Sequence, residues 1–244
     1  MAEWVSHLIV ADGVLKRLPM LLRREFCVGN IAPDCNTANA DGKTFTPSRE
    51  ITHWMKGERK TSGDARGFFT DYVLKRAEKR APKEEMSFLI GYYSHLITDA
   101  EMQRTTRDPE RVAEVWKRIG QNPRLSAMAR GTKEDWDSVK RLIQREERMK
   151  DWFVFEREYL DAHPDSGYFT EILGLKDFPD YLDYLPRGAI PEKIRRMSYM
   201  PSEDKGEFYG ICFSKEEYGG FLQRAEDSVV RSVSELAEKV LRQA

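Results

Sequence analysis

Apolar side chains recur three or four positions apart over most of the chain, the period of helices that bury one face. Trp4, Leu8, Ala11, Leu15 and Leu18 predict an amphipathic helix running to about Pro19. From Phe26 to Arg66 the period disappears, and glycine, proline and asparagine predict a long irregular segment. Its apolar residues, Phe26, Val28, Ile31, Phe45, Ile51 and Trp54, argue that it is ordered. Helical spacing returns from Asp64 to about Ala81 through Phe68, Tyr72 and Lys75. After Pro82, Met86, Leu89, Ile90, Tyr93, Leu96 and Ile97 occupy most of a helix's circumference up to about Glu101, which predicts a core helix.

The second half continues the helical pattern. Asp108-Pro109 opens a helix through Val112, Val115, Trp116 and Ile119, ended by Gly120 and Pro123. Thr132 is the expected cap of one long helix through Trp136, Val139, Ile143, Met149, Phe153 and Tyr159, stopping before Pro164. Short apolar pieces follow around Ile172, Phe178, Tyr181 and Ile194. Ser214-Lys215-Glu216-Glu217 reads as a capping box for a final helix carrying Tyr218, Phe221, Leu222, Ala225, Val229 and Val233. No alternating strand and no internal repeat is found. The expected fold is all-α, one globular multi-helix domain over residues 1–244.

Composition narrows the function classes. With 244 residues the chain can build a full core without disulfide or metal staples. Forty basic against 41 acidic residues leave a net charge of −1, so there is no whole-chain case for neutralising many phosphates of a nucleic acid. Cys27, Cys35 and Cys212 have no disulfide or zinc spacing and are expected as buried thiols of a reducing compartment. No run approaches the ~20 apolar residues of a membrane span. Glu3 stands where a signal peptide wants positive charge. A cytoplasmic protein is expected, and no exposed apolar or basic surface for a membrane is evident.

The chemistry-bearing residues are few. His95 and Asp99 lie one helical turn apart, a spacing that suits either an ordinary hydrogen bond or chelation of one divalent ion. A carboxylate inside a nearly all-apolar helix must be neutralised, paired or metal-bound, which favours the metal. His53 sits in Ile51-Thr52-His53-Trp54, His7 on the first helix, and Asp34 closes Gly29-Asn30-Ile31-Ala32-Pro33-Asp34. Each alone reads equally as a loop histidine, a core histidine or a turn aspartate. Three of the four histidines and two carboxylates in apolar contexts jointly point to a metal site. His163, beside Pro164, matches nothing and is expected at the surface.

The order of His7, the stretch ending at Asp34, Thr-His-Trp at His53 and His95-x-x-x-Asp99 resembles the bacterial zinc-dependent phospholipase C family, whose fold is shared with zinc-dependent single-strand nucleases. The resemblance covers residues 1–105 and treats 106–244 as a compatible helical tail. It implies Asp34, His53, His95 and Asp99 as ligands of one zinc, with Asp99 bridging to a second held by His7. It also implies a phosphoester substrate and Asp34 as both ligand and general base. The chain departs from the family after Asp99, where a further histidine and a later His-x-x-x-Glu pair are missing. Trp4 is also internal, so it does not offer the amino group that secreted members use. Glu101, Asp135 and Asp137 are candidate replacement oxygen ligands, Asp137 the foremost. The leading expectation is a metal-dependent hydrolase of phosphoric esters, and the alternative is a helical metal-binding or interaction protein without turnover. No adjacent His-Asp dipeptide occurs, which weakens a phosphohydrolase of that type.

Overall fold

Helix α6 (Lys83–Arg107) is the axis of the molecule, with Phe88, Leu89, Tyr92 and Leu96 buried on successive turns. Each such side chain contributes roughly 1.5–3 kcal/mol of burial. The computed structural model describes residues 3–41, 43–56, 63–197 and 199–242. Against α6 packs α2 (Arg23–Ile31), and the two backbones touch at Gly29 and Gly91. A Cβ on Gly91 would lie 2.3 Å from the Phe26 carbonyl oxygen, and one on Gly29 2.2 Å from that of Phe88. Glycine is required at both positions by this approach. The expected irregular segment is therefore corrected at its start. Its first residues are a helix, and Gly29, read as punctuation, is a packing contact inside it.

Helix α1 (Trp4–Arg17) lies on α2 and α6, and α12 (Lys215–Arg242) covers α1 and α6. The capping box forms as expected: Glu217 N–H donates to Ser214 Oγ at 3.2 Å, and Ser214 N–H to Glu217 Oε2 at 2.8 Å. Between α2 and α6 the chain makes a 3-10 turn (Ala32–Asp34), a two-residue antiparallel pair β1 (Thr37–Ala38) and β2 (Phe45–Thr46), and a single turn α3 (Arg49–Thr52). That pair is the departure from a strand-free chain. Residues 65–78 form α4 (Ala65–Phe68), a π-helical turn (Phe69–Leu74) and α5 (Lys75–Glu78).

Asp108 caps α7 (Pro109–Gln121), accepting from Arg111 N–H at 2.9 Å. A short α8 (Pro123–Met128) follows. The long helix expected from Thr132 is two helices, α9 (Trp136–Leu142) and α10 (Arg145–Ala162). Asp135 is the cap, accepting from Ser138 N–H at 2.8 Å, and Ile143 breaks the helix in an extended conformation that buries its side chain. The Arg148 guanidinium takes the freed carbonyls of Lys140 and Ile143. After a π-helical turn (Tyr168–Ile172), α11 (Ala189–Met197) precedes α12. The architecture is all-α, with one buried apolar cluster from Trp4 to Val233 and all three cysteines inside it. No helix among the described residues is long and apolar enough to cross a membrane.

Candidate metal centre

Four segments converge where α1 crosses α6. His95 and Asp99 come from α6, His7 from α1, Asp34 from the 3-10 turn and His53 from the end of α3. His7 and His95 are fully buried, and His53 and Asp99 nearly so. Their rings are in contact: His7 and His95 stack with centroids 3.7 Å apart, and His53 meets His95 edge-on at 5.3 Å.

Local chemistry fixes two of the three rings. The carbonyl of Asn30 is one of the last in α2, which no helical N–H can reach, and it lies 2.7 Å from His95 Nδ1. A carbonyl only accepts, so Nδ1 carries the hydrogen and Nε2 the lone pair. His53 Nδ1 lies 2.9 Å from Thr52 Oγ1, and Tyr92 donates to the Thr52 carbonyl. Beyond His53 the chain reverses at Trp54, whose φ of 52° is a left-handed conformation costing ~1–2 kcal/mol. Edge-to-face packing of Trp54 on Phe68 and Tyr72 offsets it.

The inward nitrogens are left over. His7 Nδ1 and Nε2, His53 Nε2 and His95 Nε2 are buried without a hydrogen-bond partner. They face carboxylates at distances too long or too bent for a hydrogen bond. His53 Nε2 lies 3.3 Å from Asp34 Oδ1 and 3.8 Å from Asp99 Oδ2. His7 Nε2 is 3.7 Å from Asp99 Oδ1, and His95 Nε2 3.9 Å from Asp99 Oδ2. Ligands held ~2.1 Å from a common tetrahedral ion stand about 3.4 Å apart, so these separations fit donors around an ion. Two triplets can hold one, His7–His95–Asp99 and Asp34–His53–His95. His95 has one free lone pair and serves one ion.

Burial, and next to it the His95 ring, pushes the His7 pKa down to about 3, and burial lowers that of His95. Burial pushes the Asp34 carboxyl up, but its contact with His53 and the charges of His95 and Arg49 outweigh this and hold it well below the usual range. Burial pushes the Asp99 carboxyl up, but the positive charge around it outweighs this and holds it below its ordinary value. Ionised carboxylates beside lone-pair nitrogens are the donor set a divalent transition metal takes.

The other candidate oxygens do not join. Glu101 is bound by Arg224 at 2.6 Å and by Arg104; Asp135 caps α9; Asp137 pairs with Lys140 at 2.5 Å. Asp137, the foremost of them, belongs to neither triplet. His163 is half-buried rather than at the surface, stacked on Tyr159 with centroids 4.0 Å apart.

Sequence reasoning missed Asn30 and Thr52, which orient the rings, although both stood inside the quoted stretches. It missed a cleft of about 480 Å³ against Asp34. Trp136, Lys140, Arg145, Arg148, Trp152 and Lys193 line it, so the expected tail supplies a wall of the site. No family model, curated protein or solved structure matches the chain.

Proposed function

We propose that the protein is a metal-dependent hydrolase of phosphoric esters, phospholipase C-like in its ligand series, with zinc as the ion. The observation that supports it most is the set of orphaned imidazole nitrogens facing Asp34 and Asp99 beside an open cleft. His53, His95, Asp34 and Asp99 would hold the principal ion, and His7 with Asp99 a second. A bound divalent ion supplies electrostatic activation of water and of the phosphoryl oxygen at neutral pH.

The protein's own groups do the rest. Asp34 lies on the cleft wall, ionised, and Arg49 donates to its Oδ1 at 3.3 Å. That contact leaves the second oxygen to take the proton as water oxygen bonds to phosphorus and the ester oxygen departs. The Asn30 carbonyl and Thr52 hydroxyl keep the rings oriented through the step.

Elemental analysis of the purified protein, combined with chromogenic phosphodiesters and phosphomonoesters, tests this. Zinc or a similar ion is expected, with hydrolysis removed by chelation and restored by metal. Protein that cannot be loaded with any such ion overturns the reading. Loaded protein that cleaves no ester makes the non-enzymatic metal-binding alternative the better one.

A further inference from the structure

The cleft beside Asp34 is more basic than a chain of net charge −1 requires. Six cations line it, and three are matched by carboxylates: Arg49 by Asp34 at 3.3 Å, Lys140 by Asp137 at 2.5 Å, and Arg145 by Glu3 at 3.3 Å. The other three have no carboxylate partner among the described residues. Arg107 donates through Nη1 to the Gln103 amide, and Arg148 through Nη1 to the carbonyls of Lys140 and Ile143. Lys193 donates to the Asn36 carbonyl at 3.1 Å. All three are partly buried, where an unmatched charge is costlier than on an open face. They come from α6, α10 and α11, so no single charged helix face explains them.

A second observation points the same way. Trp152, 8 % exposed, lines this cleft, and its indole Nε1 is buried with no acceptor. The acids on the wall, Glu3 and Asp34, are already engaged by Arg145 and Arg49.

We infer that the cleft selects phosphoesters carrying a second phosphate, and that Arg107, Arg148 and Lys193 recognise that group while the reacting ester lies at Asp34. The inference rests on the hydrolase reading for which bond is broken, but not for what is bound. Anions of this kind are matched by charge-assisted hydrogen bonds, and guanidinium forks with free Nε and Nη2 suit phosphate oxygens. A zwitterionic ester with a quaternary ammonium would place its cation against unmatched cations.

The probe is inorganic pyrophosphate against inorganic phosphate, titrated calorimetrically into metal-free protein so that chelation plays no part. Pyrophosphate is expected to bind at least about tenfold more tightly, with an affinity that falls as salt rises. Arg107→Gln and Lys193→Gln are each expected to weaken it about threefold or more. Arg148→Gln is read only if its thermal melt matches wild type, because Arg148 also holds the end of α9. Equal affinity for the two anions, or full affinity in both Arg107→Gln and Lys193→Gln, overturns the inference.

Failure of the two readings separates cleanly. Hydrolysis of a plain diester without a pyrophosphate preference removes the recognition and leaves the hydrolase. Pyrophosphate preference in a protein that cleaves nothing leaves the recognition and removes the hydrolase. Phosphatidylcholine vesicles containing phosphatidylinositol 4-phosphate, competed by the soluble headgroup, assign the source. Vesicle binding that the headgroup displaces supports a lipid-borne phosphate, and headgroup binding without vesicle binding supports a soluble ester.

Discussion

Among the buried polar side chains of helix α1, His7 and Asp12 enter surroundings built on opposite terms. Both oxygens of Asp12 are filled by the protein. Oδ1 accepts from Arg23 and from Gly167 N–H, each at 3.0 Å, and Oδ2 from Tyr159 at 3.0 Å and Ser166 at 2.7 Å. The result ties α1 to α2, α10 and the turn at Ser166. One helical turn and a half away, both nitrogens of His7 have no partner, and the neighbouring His53 and His95 each turn an orphaned nitrogen inward. A closed network stabilises the fold by itself, whereas an open one leaves desolvated groups at a cost that a ligand from outside the chain can relieve. Burial alone does not distinguish them; the count of satisfied donors and acceptors does.

Breaking each region in turn gives the largest effects. His95→Ala is expected to remove the principal ion and with it the stabilisation that ion gives, ~4 kcal/mol where free metal stands a thousandfold above Kd. Asp12→Ala, which strands four donors, is expected to cost about 2–4 kcal/mol. Its metal stoichiometry stays that of wild type. Elemental analysis and denaturant unfolding of both variants check the pair. Metal lost from Asp12→Ala, or kept by His95→Ala, would collapse the distinction.

A sharper cut lies inside the open region, between holding an ion and doing chemistry. Asp34→Asn keeps an oxygen near the ion and removes the base, so most metal is expected to remain while hydrolysis falls ~10²–10⁴-fold. Rate and metal content are measured on one preparation. Parallel loss of both would demote Asp34 to a ligand.

The two regions also differ in how far they were legible beforehand. The helices around the site follow from periodicity because α12 buries a regular stripe and α6 is apolar around most of its circumference, and the Ser214 box and Asp108 cap are local chemistry. The five residues of the cluster stood out because histidine and aspartate are rare in apolar surroundings. Asp12 did not, since its partners Arg23, Tyr159 and Ser166 are common residue types far apart in the chain. Gly29 was misread because a glycine needed for close helix packing and one needed for a turn look alike in sequence. The cleft was invisible for a related reason. Arg107, Arg148 and Lys193 are ordinary surface cations until the tertiary fold sets them around one space and leaves them unmatched.

The smallest expected effect is a pH dependence in which neighbouring positions on α1 act with opposite sign. His7 has its pKa pushed down to about 3 by burial and the adjacent His95 ring, against an ordinary 6.5. Between those values the unfolded chain binds a proton that the fold refuses, so the His7 contribution is complete above pH 6.5 and is lost as pH falls toward 3. Ser6, one residue earlier, donates through its backbone N–H at 2.9 Å and its hydroxyl at 2.6 Å to Glu156. Burial pushes that carboxyl up to about 8, from an ordinary 4.5. Here the fold keeps a proton that the unfolded chain releases, so the contribution is complete below pH 4.5 and disappears as pH rises through 8. Each slope is at most about 1.4 kcal/mol per pH unit. The two oppose each other between pH 4.5 and 6.5, and above 6.5 the Glu156 slope stands alone. Metal-free wild type is therefore expected to lose stability in urea from pH 6.5 to 8. Glu156→Gln, which keeps an acceptor for Ser6, should be flat over that range and should rise with pH below it. His7→Gln should lose the His7 share of the rise and so decline more steeply than wild type between pH 4.5 and 6.5. Parallel curves for wild type and Glu156→Gln from pH 5 to 8 would show that Glu156 is ionised in the fold, and the opposition of sign between the Ser6 and His7 positions would be lost.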